Sequence, residues 1–125
     1  MGEAIRVLCV DDNRDAAESA ADVLLAAGCE VRACTDGETA LAVAAEFRPD
    51  VCVLDLLMPG MGGEELARRL RGQTGGRPIK LIAVTGLWDI ETQHRTRNAG
   101  FDSHLVKPVD PGRLVESVTS LDTVT

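Results

Sequence analysis

The sequence predicts an α/β fold, a doubly wound five-stranded parallel sheet with five helices. Three observations carry this expectation. Short, unbroken apolar runs alternate with longer segments of helical spacing, and the joining loops are short. The apolar runs lack the alternation of half-solvated strands, so they read as strands covered on both faces. Several of them end in a polar, chemically capable residue, and in a parallel sheet all such ends lie on one edge.

Taken in order, Ile5 to Val10 is a compact first strand followed by Asp11-Asp12-Asn13. Asn13 or Asp12 can cap a helix from about Arg14 to Ala27, with Ala16, Ala20, Val23, Leu24 and Ala27 on one stripe and Gly28 as its stop. Glu30 to Cys34 alternates weakly and reads as an edge strand. Thr35 and Glu38 form a capping-box pattern for a helix to about Phe47, with Leu41, Ala44 and Ala45 inward.

Val51 to Leu54 is the most apolar strand, and it ends in Asp55 before a turn. Pro59 and the glycines of Met58 to Gly63 force a loop. Glu64 to Arg71 has an acidic start and a basic end, as a helix dipole favours, and a glycine-rich, mobile connection follows over 72–78. Lys80 to Thr85 is a buried strand ending in a hydroxyl. From Trp88 or Asp89 to Ala99 the apolar stripe is weak, which predicts a loosely held helix. Ser103 to Lys107 is the fifth strand, and Pro111 at the first helical position opens a last helix carrying Leu114, Val118 and Leu121.

Length fits a single domain, residues 1–125. The net charge of -7, with no compensating Lys/Arg cluster, opposes direct binding to nucleic acid or anionic lipid. Cys9, Cys29, Cys34 and Cys52 have no CxxC spacing and read as buried small hydrophobes in a reducing compartment. The amino terminus lacks the pattern of a signal peptide, and no apolar stretch reaches membrane length, so a cytoplasmic location is expected.

The strand ends bring Asp11, Asp12, Asp55, Thr85 and Lys107 to one edge. Clustered carboxylates repel unless a cation neutralises them, and Mg2+ with its preference for oxygen ligands fits. An amine and a hydroxyl beside it suit a bound phosphoryl group, and Asp55, central in the sheet, is the candidate nucleophile. Each residue alone is as well explained as a cap, a turn acid or a surface lysine; their coincidence favours function.

The ordered set VLCVDDN, VCVLDLLMPGMGG, AVTG and GFDSHLVKPV resembles the receiver domains of two-component response regulators from about Ile5 to Leu121. The resemblance implies a flavodoxin-like sheet of order 2-1-3-4-5. It also implies that Asp55 accepts a phosphoryl group from a histidine kinase or histidine phosphotransfer domain. It further implies Asp11 and Asp12 as metal acids, the Leu57 backbone carbonyl as a Mg2+ ligand, Thr85 as switch hydroxyl, Lys107 as phosphoryl partner and a cis Lys107-Pro108 peptide. A downstream protein at the fifth strand and last two helices is implied, with phosphorylation-driven dimerisation left open.

His104 stands where the family's switch aromatic is commonly Tyr or Phe, so it is either the switch or a half-exposed strand residue without that role. Val109 replaces a frequent Phe, and Gly86 a frequent Ala or Ser. Leu57 and Leu87 occupy positions where polar residues in relatives can orient hydrolytic water, which predicts a long-lived acyl phosphate. The HLVKPVDP wording is similar to receivers of hybrid sensor kinases. Three rival readings are a docking module that no longer accepts phosphate, a haloacid-dehalogenase-like phosphatase and a flavin module. The second lacks its further Asp, since Leu57 holds that place, and the third lacks a Ser/Thr-rich phosphate loop.

Overall fold

A computed structural model describes residues 3–120. Its elements are β1 (Arg6–Val10), α1 (Arg14–Ala26), β2 (Glu30–Cys34), α2 (Gly37–Phe47), β3 (Val51–Asp55), α3 (Gly63–Gly72), β4 (Lys80–Thr85), α4 (Ile90–Asn98), β5 (Ser103–Val106) and α5 (Pro111–Thr119). The strands are all parallel, in the order β2-β1-β3-β4-β5. The expected flavodoxin-like arrangement is therefore present, with β2 at an edge.

The sheet separates two apolar layers. Leu8, Leu54, Leu66, Leu70 and Leu81 pack on the side of α2 and α3. Val7, Val53, Ile82, Leu24 and Leu114 pack on the side of α1 and α5. Every residue of β3 is buried, as its unbroken apolar run requires. The four cysteines are free and buried. Loss of hydration pushes the Cys9 thiol up to about 12 and Cys52 higher still, so both behave as inert hydrophobes.

Several details differ from the sequence expectation. The buried stripe of α1 runs through Ala17, Ala21 and Leu24, while Ala16, Ala20 and Val23 are half-buried and Ala27 is exposed. Paired alanines at 16–17 and 20–21 make two helical phases almost equally apolar, so periodicity cannot choose between them. The cap of α2 is Asp36, not Thr35. Its carboxylate accepts from both the backbone N and the hydroxyl of Thr39, at 2.8 and 3.0 Å. Starting there, α2 buries Gly37, Ala40 and Ala44 and leaves Ala45 exposed.

Helix α3 begins at Gly63, one residue earlier than expected, and β5 ends at Val106, one residue before Lys107. The Lys107-Pro108 peptide is cis. Asn13, Asp89 and Asp110 cap α1, α4 and α5. The weak stripe of α4 buries only Thr92 and Thr96, and the helix is tied to α3 by the two-pronged Arg95–Glu64 pair, at 2.7 and 3.1 Å. Leu114 and Val118 of α5 point inward; Leu121 lies outside the described residues.

Candidate functional site

The carboxyl edge of the sheet carries the expected cluster. β1 delivers Asp11 and Asp12, with Asp11 buried and Asp12 exposed, and β3 delivers the buried Asp55. Carboxylate oxygens of the three acids lie within 4.8 Å of one another. Lys107, just past β5, places its Nζ 3.1 Å from Asp11 Oδ2 and 3.5 Å from Asp55 Oδ2. Backbone amides complete the frame: Asn13 N donates to Asp11 Oδ1 at 2.9 Å, and Leu57 N to Asp55 Oδ1 at 3.4 Å.

Charge in this pocket is out of balance. Burial first, and the neighbouring Asp11 charge second, push the Asp55 carboxyl above its ordinary 3.8, against the pull of Lys107. Burial works against the Lys107 charge, but the hydrogen bond to Asp11 and the charges of Asp55 and Asp11 outweigh it and hold its ammonium above 10.5. One lysine thus faces three carboxylates, and a divalent cation is the group that such an all-oxygen donor set fits. Because Asp55 binds protons more readily than a free aspartate, a divalent cation is expected to raise the thermal midpoint at neutral pH. That gain should shrink as pH falls and the carboxyl protonates. Melting curves with and without chelator across pH check this.

Thr85 is buried at the end of β4, beside the cluster, but both hydrogen bonds of its hydroxyl go to Leu87: Oγ1 donates to the carbonyl and accepts from the amide, each at 3.1 Å. The backbone of Lys107 is tied to the same residue, its N donating to Thr85 O at 2.9 Å. His104 lies outside the cluster, exposed on β5, with its ring stacked on Trp88 at 3.7 Å between centroids and 10° between planes. Burial lowers the His104 pKa below 6.5, favouring the neutral ring at neutral pH.

A family model for the response regulator receiver domain matches residues 7–119. The chain belongs to this family. The receiver is 36% identical over 113 residues to the DNA-binding response regulator MtrA of Mycolicibacterium paratuberculosis, covering 90% of this chain and 49% of MtrA. It is 35% identical to the response regulator PleD of Caulobacter vibrioides, over 93% of this chain and 26% of PleD. It therefore spans half or less of the length of these relatives. Among solved structures, the chemotaxis protein CheY4 of Vibrio cholerae superposes with a TM-score of 0.87 at 31% identity, over 92% of this chain and 96% of that one. This receiver is thus a module of two-component signalling, and its acidic cluster is the kind through which receivers bind a divalent metal.

Two features of the receiver escaped the sequence reading. Trp88 read only as one of two starts for a loosely held helix, yet it is the ring that stacks on His104. Gly63 read as part of a loop, yet a Cβ there would lie 2.4 Å from the carbonyl oxygen of Asp55. The Gly62-Gly63 pair just before a helix was the available signal for this close approach.

Proposed function

We propose that residues 1–125 act as one phosphoacceptor domain, in which Asp55 takes a phosphoryl group from the phosphohistidine of a histidine kinase or phosphotransfer domain. The observation that supports this best is the meeting of Asp11, Asp12 and Asp55 within 4.8 Å, with Lys107 Nζ at 3.1 and 3.5 Å from two of them. A carboxylate oxygen of Asp55 attacks phosphorus as the phosphorus–nitrogen bond breaks, and the histidine leaves as a neutral imidazole after taking up a proton. Asp11, Asp12, Asp55 and the Leu57 carbonyl would hold Mg2+, which would supply positive charge to the phosphoryl oxygens. Lys107 pairs with the same oxygens and orients them. The domain's only chemistry is its own phosphorylation and slow dephosphorylation.

The Thr85 hydroxyl is one hydrogen-bond exchange away from serving the phosphoryl group. Moving onto it requires release of Leu87, and Leu87 adjoins Trp88, the ring stacked on His104. Phosphorylation thereby bears on the stack, and His104 takes the place of the switch aromatic. Leu87, Ile90 and Val106 are 57%, 70% and 43% exposed, an apolar surface at the start of α4 and the end of β5 fit for a downstream protein or a second copy. With a net charge of -7, direct nucleic acid binding is not part of this reading, and the domain works in the cytoplasm.

Beryllofluoride with Mg2+ imitates the phosphoryl group, so adding both should change Trp88 fluorescence saturably, while either alone should not. An unchanged spectrum contradicts the coupling. The side chains of the exposed Leu57 and Leu87 offer no polar atom to position water, so the acyl phosphate should persist for minutes or longer with Mg2+ present. A half-life of seconds, followed by intact mass, contradicts that.

A further inference from the structure

A cavity of about 580 Å³ lies between α1, α5 and the sheet, within the range of small-molecule sites. Its walls are mostly apolar, with Ala16 and Ala20 of α1, Val53 and Val84 of the sheet, and Val109 and Leu114 from the α5 side; Asn13 and Ser19 are polar exceptions on the α1 side. The space opens to solvent along α1, so a guest seated in it would remove alanine and valine surface from water. Alanine on α1 and valine at 109, each too short to reach across, leave it open.

One end of the cavity is not apolar. Asp11, Asp55 and Lys107 line it, two carboxylates against one ammonium. The site already accommodates an ammonium group between those acids, since Lys107 Nζ is 3.1 Å from Asp11 and 3.5 Å from Asp55. A second monocation would match the two carboxylates that line the cavity, with Asp12 outside it, and its apolar remainder would lie in the cavity.

We propose that this cavity binds a small primary amine carried on an apolar body, the ammonium engaging Asp11 and Asp55 in competition with the divalent cation. The inference rests on the reading of those acids as metal holders and adds a mode of regulation: the amine-bound receiver lacks the cation needed to accept phosphate. An anionic amphiphile is disfavoured by the two carboxylates, and a neutral one leaves their charge unmet.

Hexylamine is the probe, with hexanol and hexanoate as controls, applied to the whole chain and followed by backbone amide NMR shifts. Hexylamine should give saturable shifts over α1 and residues 109–114. At ten times its own Kd it should raise the apparent Kd for Mg2+ roughly tenfold, as simple competition requires. Ala20→Leu from one wall and Val109→Phe from the other each narrow the cavity where the apolar body would lie. Either variant should weaken amine binding severalfold and leave Mg2+ affinity unchanged, so one folded variant is enough.

The amine site is overturned by an absence of saturation, by an equal response to hexanol, by unchanged Mg2+ affinity in saturating amine, or by undiminished amine affinity in a folded variant. Those results with Mg2+ binding intact leave the proposed function standing. Failure of Mg2+ to bind in the absence of amine overturns both.

Discussion

Replacing Asp55 by Asn is expected to abolish phosphoryl uptake altogether, because the attacking oxygen becomes an amide that is not a nucleophile at neutral pH. The beryllofluoride response of Trp88 should vanish with it. The same substitution should stabilise the metal-free domain at neutral pH. The folded state raises the Asp55 carboxyl above 3.8, chiefly through burial and then through Asp11, so it binds a proton more tightly than the unfolded chain does. Stability contributed by that proton is present in acid and is lost as pH rises from about 3.8 through the folded-state value. Asn carries no charge to bury, and Lys107 keeps its 3.1 Å contact with Asp11. Melting curves in chelator should therefore favour the variant at neutral pH and converge with the parent in acid. A variant less stable than the parent at neutral pH would show that Asp55 is held by attractions rather than burdened by burial.

Gly63→Ala is expected to be the most damaging conservative change near the site. Its Cβ would stand 2.4 Å from Asp55 O and 2.9 Å from Leu56 Cα, both backbone atoms, so no side chain can swing aside. Either α3 moves away from the sheet or the end of β3 shifts. The cost should fall at the upper end for overpacking, about 3 kcal/mol, read as a lower urea midpoint. Because the displaced atoms belong to Asp55 and its neighbour, beryllofluoride affinity should fall as well. Gly72→Ala is the control: it lies at the end of the same helix, nothing approaches within 4 Å of its Cβ, and it should leave both properties almost unchanged. Equal effects at the two positions would contradict this account of how α3 seats Asp55.

Much of this was legible in the chain because the relevant signals are local. The run Lys80–Thr85 and the run ending at Asp55 are apolar without alternation, and their boundaries in the structure match. Asn13 and Pro111 announce their helices by side-chain chemistry or ring geometry, and the structure uses them so. That Asp11, Asp12, Asp55 and Lys107 converge followed from parallel strands sharing one edge. What was not legible depends on partners distant in sequence. Trp88 covers His104, Arg95 clasps Glu64 and Gly63 presses on Asp55, and none of these pairings leaves a periodic trace. The phase of α1 was hidden because its alanines are too alike, and the α2 cap was misplaced because Thr35 and Asp36 are both good caps until geometry selects one. Thr85 ends β4 as expected, but the engagement of its hydroxyl with Leu87 is a property of the turn, which residue type alone does not reveal.

The most direct test is to incubate the protein with acetyl phosphate and Mg2+ and locate any added phosphoryl group by tandem mass spectrometry. The geometry of Asp11, Asp12, Asp55 and Lys107 predicts a single group, on Asp55, formed only when the cation is present. An unmodified Asp55, or a phosphoryl group on any other residue, would contradict the account.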